Sequence, residues 1–186
     1  MSSAEFLAKI EELFRTRGDA LYGGEAVSQL EHALQAAWLA EQAHEPPAII
    51  VAALLHDVGH LLHAHGDECA EQGIDDVHEE LGMRFLTKFF GPDVTEPVRL
   101  HVQAKRFLCH VEPGYHAALS APSRLSLQLQ GGPMTEGEAE AFRENPHSAA
   151  ACALRKFDDK AKVAELPTPS YSHFAPLLEK CLAYAE

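Results

Sequence analysis

Residues 48–55 read Ala-Ile-Ile-Val-Ala-Ala-Leu-Leu, and His56-Asp57 follow at once, with Val58, Leu61 and Leu62 continuing the apolar run. A segment apolar on every face must lie at the centre of a fold. An ionisable pair carried there is costly unless it is hydrogen-bonded, paired or bound to metal. A lone histidine would be read as a core residue satisfied by a neighbour. Two adjacent ionisable groups, with His60 one helical turn beyond His56, favour a metal site instead.

The rest of the chain reads as helices punctuated by Pro and Gly, with little period-2 alternation. Phe6, Ile10 and Leu13/Phe14 predict a first helix over Ser3–Thr16, stopped by Gly18. Val27, Leu30, Leu34 and Trp38 predict a second over Gly24–Ala43. Pro46-Pro47 open a third over Ala48–His63. After a polar loop over 66–75, Val77, Leu81, Phe85 and Phe89 form one side of a fourth helix over Asp76–Phe90. Gly91-Pro92 end it, and Pro97 starts or restarts a fifth. Glu112–Pro133 is open between helix and loop, because Leu125, Leu127 and Leu129 alternate like a strand with no partner strand nearby. Thr135-x-x-Glu138 is a capping box. Pro146 begins a helix reaching Lys162, and Tyr171–Ala185 forms the last. The expectation is an all-α fold in which residues 1–186 make one helical bundle domain.

Composition narrows the function classes. The net charge of −13, with no Lys/Arg run, argues against a nucleic-acid partner. No apolar run is long enough to span a bilayer, and Met1 opens a polar amphipathic stretch rather than a signal peptide. Cys69, Cys109, Cys152 and Cys181 are widely spaced and read as free thiols. The expected setting is cytoplasmic, with a small-molecule substrate, no nucleic acid and no membrane. Monomer and dimer both stay open.

Other His and Asp residues fall where they can converge on His56-Asp57: His32, His78, His101 and Asp158, each on a different predicted helix. Bundle metal sites are built in this way. N/O ligands without thiolate suit iron, manganese or zinc better than copper(I). Asp57 could bridge two ions, which in such sites lie about 3.5–4 Å apart. Spacing alone leaves Asp158 and Asp159 as alternatives for the last ligand.

The order His32…His56-Asp57…His78…His101…Asp158 resembles the HD-domain superfamily. The two added histidines resemble its mixed-valent diiron oxygenases rather than its phosphohydrolases. Tyr22-Gly-Gly-Glu25…Gln29-Leu-Glu-His32, His101-Val-Gln-Ala-Lys105-Arg106, Ser123-Arg124, Gln130-Gly131-Gly132-Pro133-Met134 and Arg155-Lys-Phe-Asp158 are similar to the organophosphonate-cleaving members, over roughly Leu21 to Lys162. The resemblance implies two iron ions, Fe(II)/Fe(III), with dioxygen as co-substrate. It implies His32, His56 and Asp158 on one iron, His78 and His101 on the other, and Asp57 between them. The implied reaction is C–P cleavage of a 2-amino-1-hydroxyethylphosphonate or its N-trimethylated counterpart, releasing phosphate plus glycine or glycine betaine. The likeness leans toward the trimethylated substrate.

Tyr22, Glu25, Gln29 and His32 recur at helical spacing and are expected as one stripe facing the metals, where elsewhere such a stripe is an exposed polar face. The resemblance gives Tyr22 an iron position before substrate arrives and has Glu25 move aside with it. His60 and Lys105, each one turn from a ligand, are the local cations for a phosphonate. Alone, Lys105 would read as a solvated surface lysine. Ser123, Arg124 and Gln130 complete the expected clamp, and Tyr22, Glu25 or Tyr115 would face a quaternary ammonium. The implied catalytic set is Tyr22, Glu25, His60 and Lys105. His44, His63, His65, His110, His116, His147 and His173 are expected outside the site. The rival readings are an HD phosphohydrolase acting on a nucleotide or phosphate ester, a non-catalytic HD module, and an inositol-oxygenase-like activity.

Overall fold

The computed structural model describes residues 1–62 and 77–183, which form ten α-helices: α1 (Ser3–Arg17), α2 (Gln29–Gln42), α3 (Pro47–Leu55), α4 (His78–Leu86), α5 (Pro92–Val111), α6 (Tyr115–Ala118), α7 (Ala121–Leu129), α8 (Glu136–Glu144), α9 (Ser148–Lys160) and α10 (Tyr171–Lys180). Extended pairing among the described residues amounts to the isolated bridges Leu21–Ser28 and Phe90–Leu182. The fold is all-α, as the periodicity predicts. Among the described residues no helix is long and apolar enough to cross a membrane.

Helix α3 is the hub. Ile49 through Leu55 are all buried, and α3 packs on α2, α5, α9 and α10. α5 lies along α9 and also meets α4, while α2 crosses α9. The main core gathers Phe6, Ile10, Phe14, Leu54, Leu55, Leu86, Val98, Leu154, Phe174 and Leu178 from this scaffold. A smaller apolar cluster of Leu100, Ala104, Met134, Phe142 and Ala151 ties α8 to α5 and α9. Three helices that meet α3 thus deliver side chains to one buried point.

Several expected boundaries move, each for a local reason. α2 begins at Gln29 rather than Gly24. Gly23 and Gly24 take positive φ of 44° and 79°, and Ser28 forms a reciprocal capping box with Glu31. Tyr22 and Glu25 therefore sit on a turn before α2, not on its surface. α3 stops at Leu55, and a 3-10 turn (Val58–Leu61) replaces the expected continuation to His63, which lies outside the described residues. The break falls at Asp57, with φ −102° and ψ 14°. A Cβ on Gly59 would stand 2.0 Å from the His78 carbonyl oxygen, so the turn and the start of α4 approach closely only because Gly59 has none.

The expected loop over 66–75 and a helix start at Asp76 lie outside the described residues. α4 starts at His78, after Val77 in a left-handed conformation at φ 45°, which leaves Val77 exposed rather than on the apolar side. α5 starts at Pro92 and continues through Pro97. Glu112–Pro133 contains α6 and α7. Ser120 caps α7 by accepting from the Ser123 amide, so the Leu125/Leu127/Leu129 pattern is helical, with Leu127 buried and Leu125 exposed. α9 starts at Ser148 rather than Pro146.

Candidate metal centre

His32 comes from α2, His56 and Asp57 from the end of α3, His78 from the first residue of α4, His101 from α5 and Asp158 from α9. All six are buried. The two oxygens of Asp57 face different partners. Oδ2 lies 3.2 Å from His56 Nε2 and 3.5 Å from His32 Nε2, while Oδ1 lies 3.3 Å from His78 Nε2 and 3.4 Å from His101 Nε2. Asp158 Oδ1 approaches His32 Nε2 at 3.4 Å. The groups His32/His56/Asp57 and Asp57/His78/His101 are each compact enough to hold one ion, with Asp57 common to both.

The donor chemistry fits metal. Nδ1 of His32, His56 and His101 donates to the carbonyls of Ala161, Ala53 and Val98 at 2.8, 2.8 and 2.7 Å. In a neutral ring that places the lone pair on Nε2. Yet His32 and His56 bring their Nε2 atoms within 3.1 Å of each other, and His78 and His101 theirs within 3.2 Å. Two lone pairs at that distance repel unless a cation sits beside them. Both oxygens of Asp57 and Oδ1 of Asp158 are buried without a hydrogen-bond donor, which is costly unless they bind a positive charge.

The electrostatics point the same way. Burial opposes a charge on His32, but the carboxylates of Asp158 and Asp57 outweigh it and push its proton affinity up to about 9. Burial favours neutral Asp57, yet His56, His32 and His78 hold it well below the usual carboxylate range. Asp158 is likewise held low against its burial, chiefly by Arg155. His101 is pushed well down by burial, which keeps it neutral. Two carboxylates kept ionised beside a His101 kept neutral leave unprotonated donor atoms that suit dications.

Asp158 is 1% exposed and lies in the cluster, whereas Asp159 is 19% exposed and pairs with Arg155 and the Tyr115 hydroxyl. Asp158 therefore faces the histidines and Asp159 does not. Arg155, buried within α9, holds Asp158 Oδ2 at 2.6 Å with one guanidinium nitrogen and Asp159 with the other.

Tyr22 reaches the cluster from its turn. Its ring stacks on His32 with centroids 3.8 Å apart, and burial with Asp158 and Asp57 nearby drives its phenol well above its ordinary value. Glu25 accepts from Ser120 and pairs with Lys162 at 3.2 Å. Gln29 is buried in the first turn of α2. His60 stacks on His78 at 4.0 Å. Lys105 is buried one turn after His101 and donates to Ser126 Oγ at 2.8 Å; burial, then Arg155, pulls its proton affinity down to about 7. Ser123 accepts not from Lys105 but from Lys162, at 2.7 Å. Arg124 spends its guanidinium on the Leu119 carbonyl, and Gln130 caps α7 with its side-chain oxygen buried and without a donor. Sequence reasoning missed Lys162, Ser126 and the role of Arg155. Of the histidines expected elsewhere, His110 pairs with Glu136 and His173 with Glu41, His44 and His116 are exposed, and His147 precedes α9. His65, like His63, lies outside the described residues.

Residues 30–154 match the family model of the HD domain. The chain belongs to the HD-domain family. Within it, the chain is 45% identical over 168 residues to a [1-hydroxy-2-(trimethylamino)ethyl]phosphonate dioxygenase (glycine-betaine-forming) from Leisingera caerulea, covering 90% of this chain and 86% of that protein. It is 44% identical over 182 residues to a hydroxymethylphosphonate dioxygenase from Gimesia maris, covering 97% and 90%. An uncharacterized protein of Acanthamoeba polyphaga mimivirus is 33% identical over 176 residues, covering 94% and 80%. This HD-domain chain therefore groups with phosphonate dioxygenases along nearly its whole length.

Proposed function

We propose that this chain is a two-iron, dioxygen-dependent enzyme that cleaves the carbon–phosphorus bond of a 1-hydroxyphosphonate, and that residues 1–186 act as one HD-type domain. The observation that carries the reading is the division of Asp57 between two histidine pairs, which suits two ions sharing one carboxylate. The two relatives named as phosphonate dioxygenases supply the reaction class. His32, His56 and Asp158 would hold one iron, His78 and His101 the other, with Asp57 between. Once bound, the mixed-valent Fe(II)/Fe(III) pair supplies activation of dioxygen for oxidation at the hydroxyl-bearing carbon. A hydroxyphosphonate plus one dioxygen balances to a carboxylic acid plus phosphate, so no further reductant is required.

The chain's own side chains bind and orient. Tyr22 and Glu25 cover the cluster and move aside for substrate. His60 and Lys105 donate to phosphonate oxygens, and Ser123 stands beside them. Lys105, held near neutrality in its proton affinity, gains its full charge when a dianion arrives. Burial of the cluster excludes water from the reacting carbon.

The substrate shares the C1 hydroxyl and phosphonate of the two relatives' substrates, and we propose the trimethylamino compound first, with glycine betaine as product. The phosphohydrolase alternative is disfavoured by the two dioxygenase relatives. The test is phosphate release, with oxygen uptake, from 1-hydroxy-2-(trimethylamino)ethyl-, 2-amino-1-hydroxyethyl- and hydroxymethylphosphonate by anaerobically purified protein. Equal phosphate and oxygen turnover, with a spin-half signal from a coupled Fe(II)/Fe(III) pair, is expected. Hydrolysis of phosphate esters by a zinc or manganese form without oxygen uptake would overturn it.

A further inference from the structure

Lys162 lies just past the end of α9, and the main chain on both sides of it is anchored. The Ala161 carbonyl accepts from His32, and Gln35 clasps Val163 with hydrogen bonds to its carbonyl and amide at 2.8 and 3.0 Å. The side chain points inward and is only 11% exposed. Its ammonium donates to Ser123 Oγ at 2.7 Å, pairs with Glu25 Oε1 at 3.2 Å and lies 5.6 Å from the centre of the Tyr22 ring. Lys105 meets Ser126 at 2.8 Å, one turn along α7 from Ser123, and the Ser126 hydroxyl donates to the Ser123 carbonyl. Two largely buried ammonium groups from different segments thus dock on one turn of α7.

From this we infer that Lys162 is the second lysine of the phosphonate cradle, beside Lys105, and that Glu25 occupies the place a phosphonate oxygen takes. Substrate entry is then an exchange of anions on Lys162. The inference rests on the phosphonate reading above and extends it to a residue outside the expected clamp. Taking Glu25 away from a nearly buried ammonium is unfavourable, so arrival of another anion at Lys162 favours opening of the Tyr22–Glu25 turn. Two lysines match a phosphonate dianion, whereas a single carboxylate such as Glu25 satisfies one of them. The pair therefore selects for charge as well as shape, and it couples opening of the turn to the ligand that the site is built to take.

The test uses methylphosphonate, which has the anion but no C1 hydroxyl to react, binding to the metal-loaded protein by calorimetry. Lys162→Met is expected to weaken binding about ten- to a hundredfold, the usual range for a lost charge-assisted hydrogen bond. Lys162→Arg should restore most of it, and metal content should stay unchanged in both. Glu25→Gln, which removes the internal competitor, should tighten binding severalfold when Lys162 is present and have no effect in Lys162→Met. Wild-type affinity in Lys162→Met, loss of metal from it, or equal tightening by Glu25→Gln in both backgrounds would overturn the assignment. Oxygen-dependent phosphate release separates this from the underlying reading. Release by the wild type with no dependence of binding on Lys162 sinks only the cradle. Absence of release with Lys162-dependent methylphosphonate binding sinks the reaction and keeps the cradle.

Discussion

Replacing Arg155 by Met removes a guanidinium that is 4% exposed and spans two carboxylates. Asp158, 1% exposed, loses its partner at 2.6 Å, and Asp159 keeps the Tyr115 hydroxyl. Taking one member out of a buried ion pair costs about 3–5 kcal/mol, because the other charge is left buried and uncompensated. In the metal-free protein Arg155→Met should lose that amount. In the metal-loaded protein a dication beside Asp158 takes over much of the compensation. What remains is then the charged hydrogen bond to Asp159, about 1.5–3 kcal/mol. Urea unfolding of both forms, compared at equal slope, reads the two losses. Arg155→Lys keeps the charge but not the fork, and should recover part of the loss without holding both carboxylates. A loss of equal size in the two forms would refute the idea that Asp158 shares its charge between Arg155 and a metal.

Four further substitutions probe other parts of the site. Asp57→Asn should empty both metal positions while His101→Ala empties one, as counted by metal analysis; equal losses would contradict the shared carboxylate. Lys105→Met should stabilise the metal-free protein at pH 7 and weaken phosphonate binding. Folded Lys105 holds its proton only to about pH 7 against an ordinary 10.5, so the unfolded chain binds more protons between those values. Stability should therefore rise with pH across that window in the wild type, and Lys105→Met should remove this contribution to the slope. Gly59→Ala, whose Cβ would meet the His78 carbonyl at 2.0 Å, should displace His78 and lower metal occupancy more than it lowers helical content, read by metal analysis beside circular dichroism.

The helical class and the residues that gather at the cluster were legible because buried ionisable groups stand out against apolar helices. His56-Asp57 interrupt a strongly apolar segment and pattern alone reports them, whereas His101 is reached through its place on another predicted helix and through the family resemblance. What escaped has a common cause: local chemistry overriding periodicity, or contacts between distant segments. The Ser28/Glu31 capping box and the positive φ at Gly23 and Gly24 end the α2 pattern where Val27 appeared to extend it. The break at Asp57 depends on Gly59 meeting His78 across the fold. The Leu125/Leu127/Leu129 alternation carries no sign of the Ser120 cap that makes it helical. Lys162 lies past a helix end, a place where lysine is ordinary, and its meaning depends on Glu25 and Ser123 being folded onto it. For Arg155 the signal in the sequence is the adjacent pair of acids, Asp158 and Asp159, three and four residues on, which one buried guanidinium can bridge.

The central claim is two iron ions on either side of one carboxylate. Diffraction from crystals of anaerobically purified protein, with anomalous data at the iron absorption edge, tests it directly. The account predicts two iron peaks flanking Asp57, about 3.5–4 Å apart, one beside His32, His56 and Asp158 and the other beside His78 and His101. A single peak, or two peaks that respond only at the zinc or manganese edge, would contradict it.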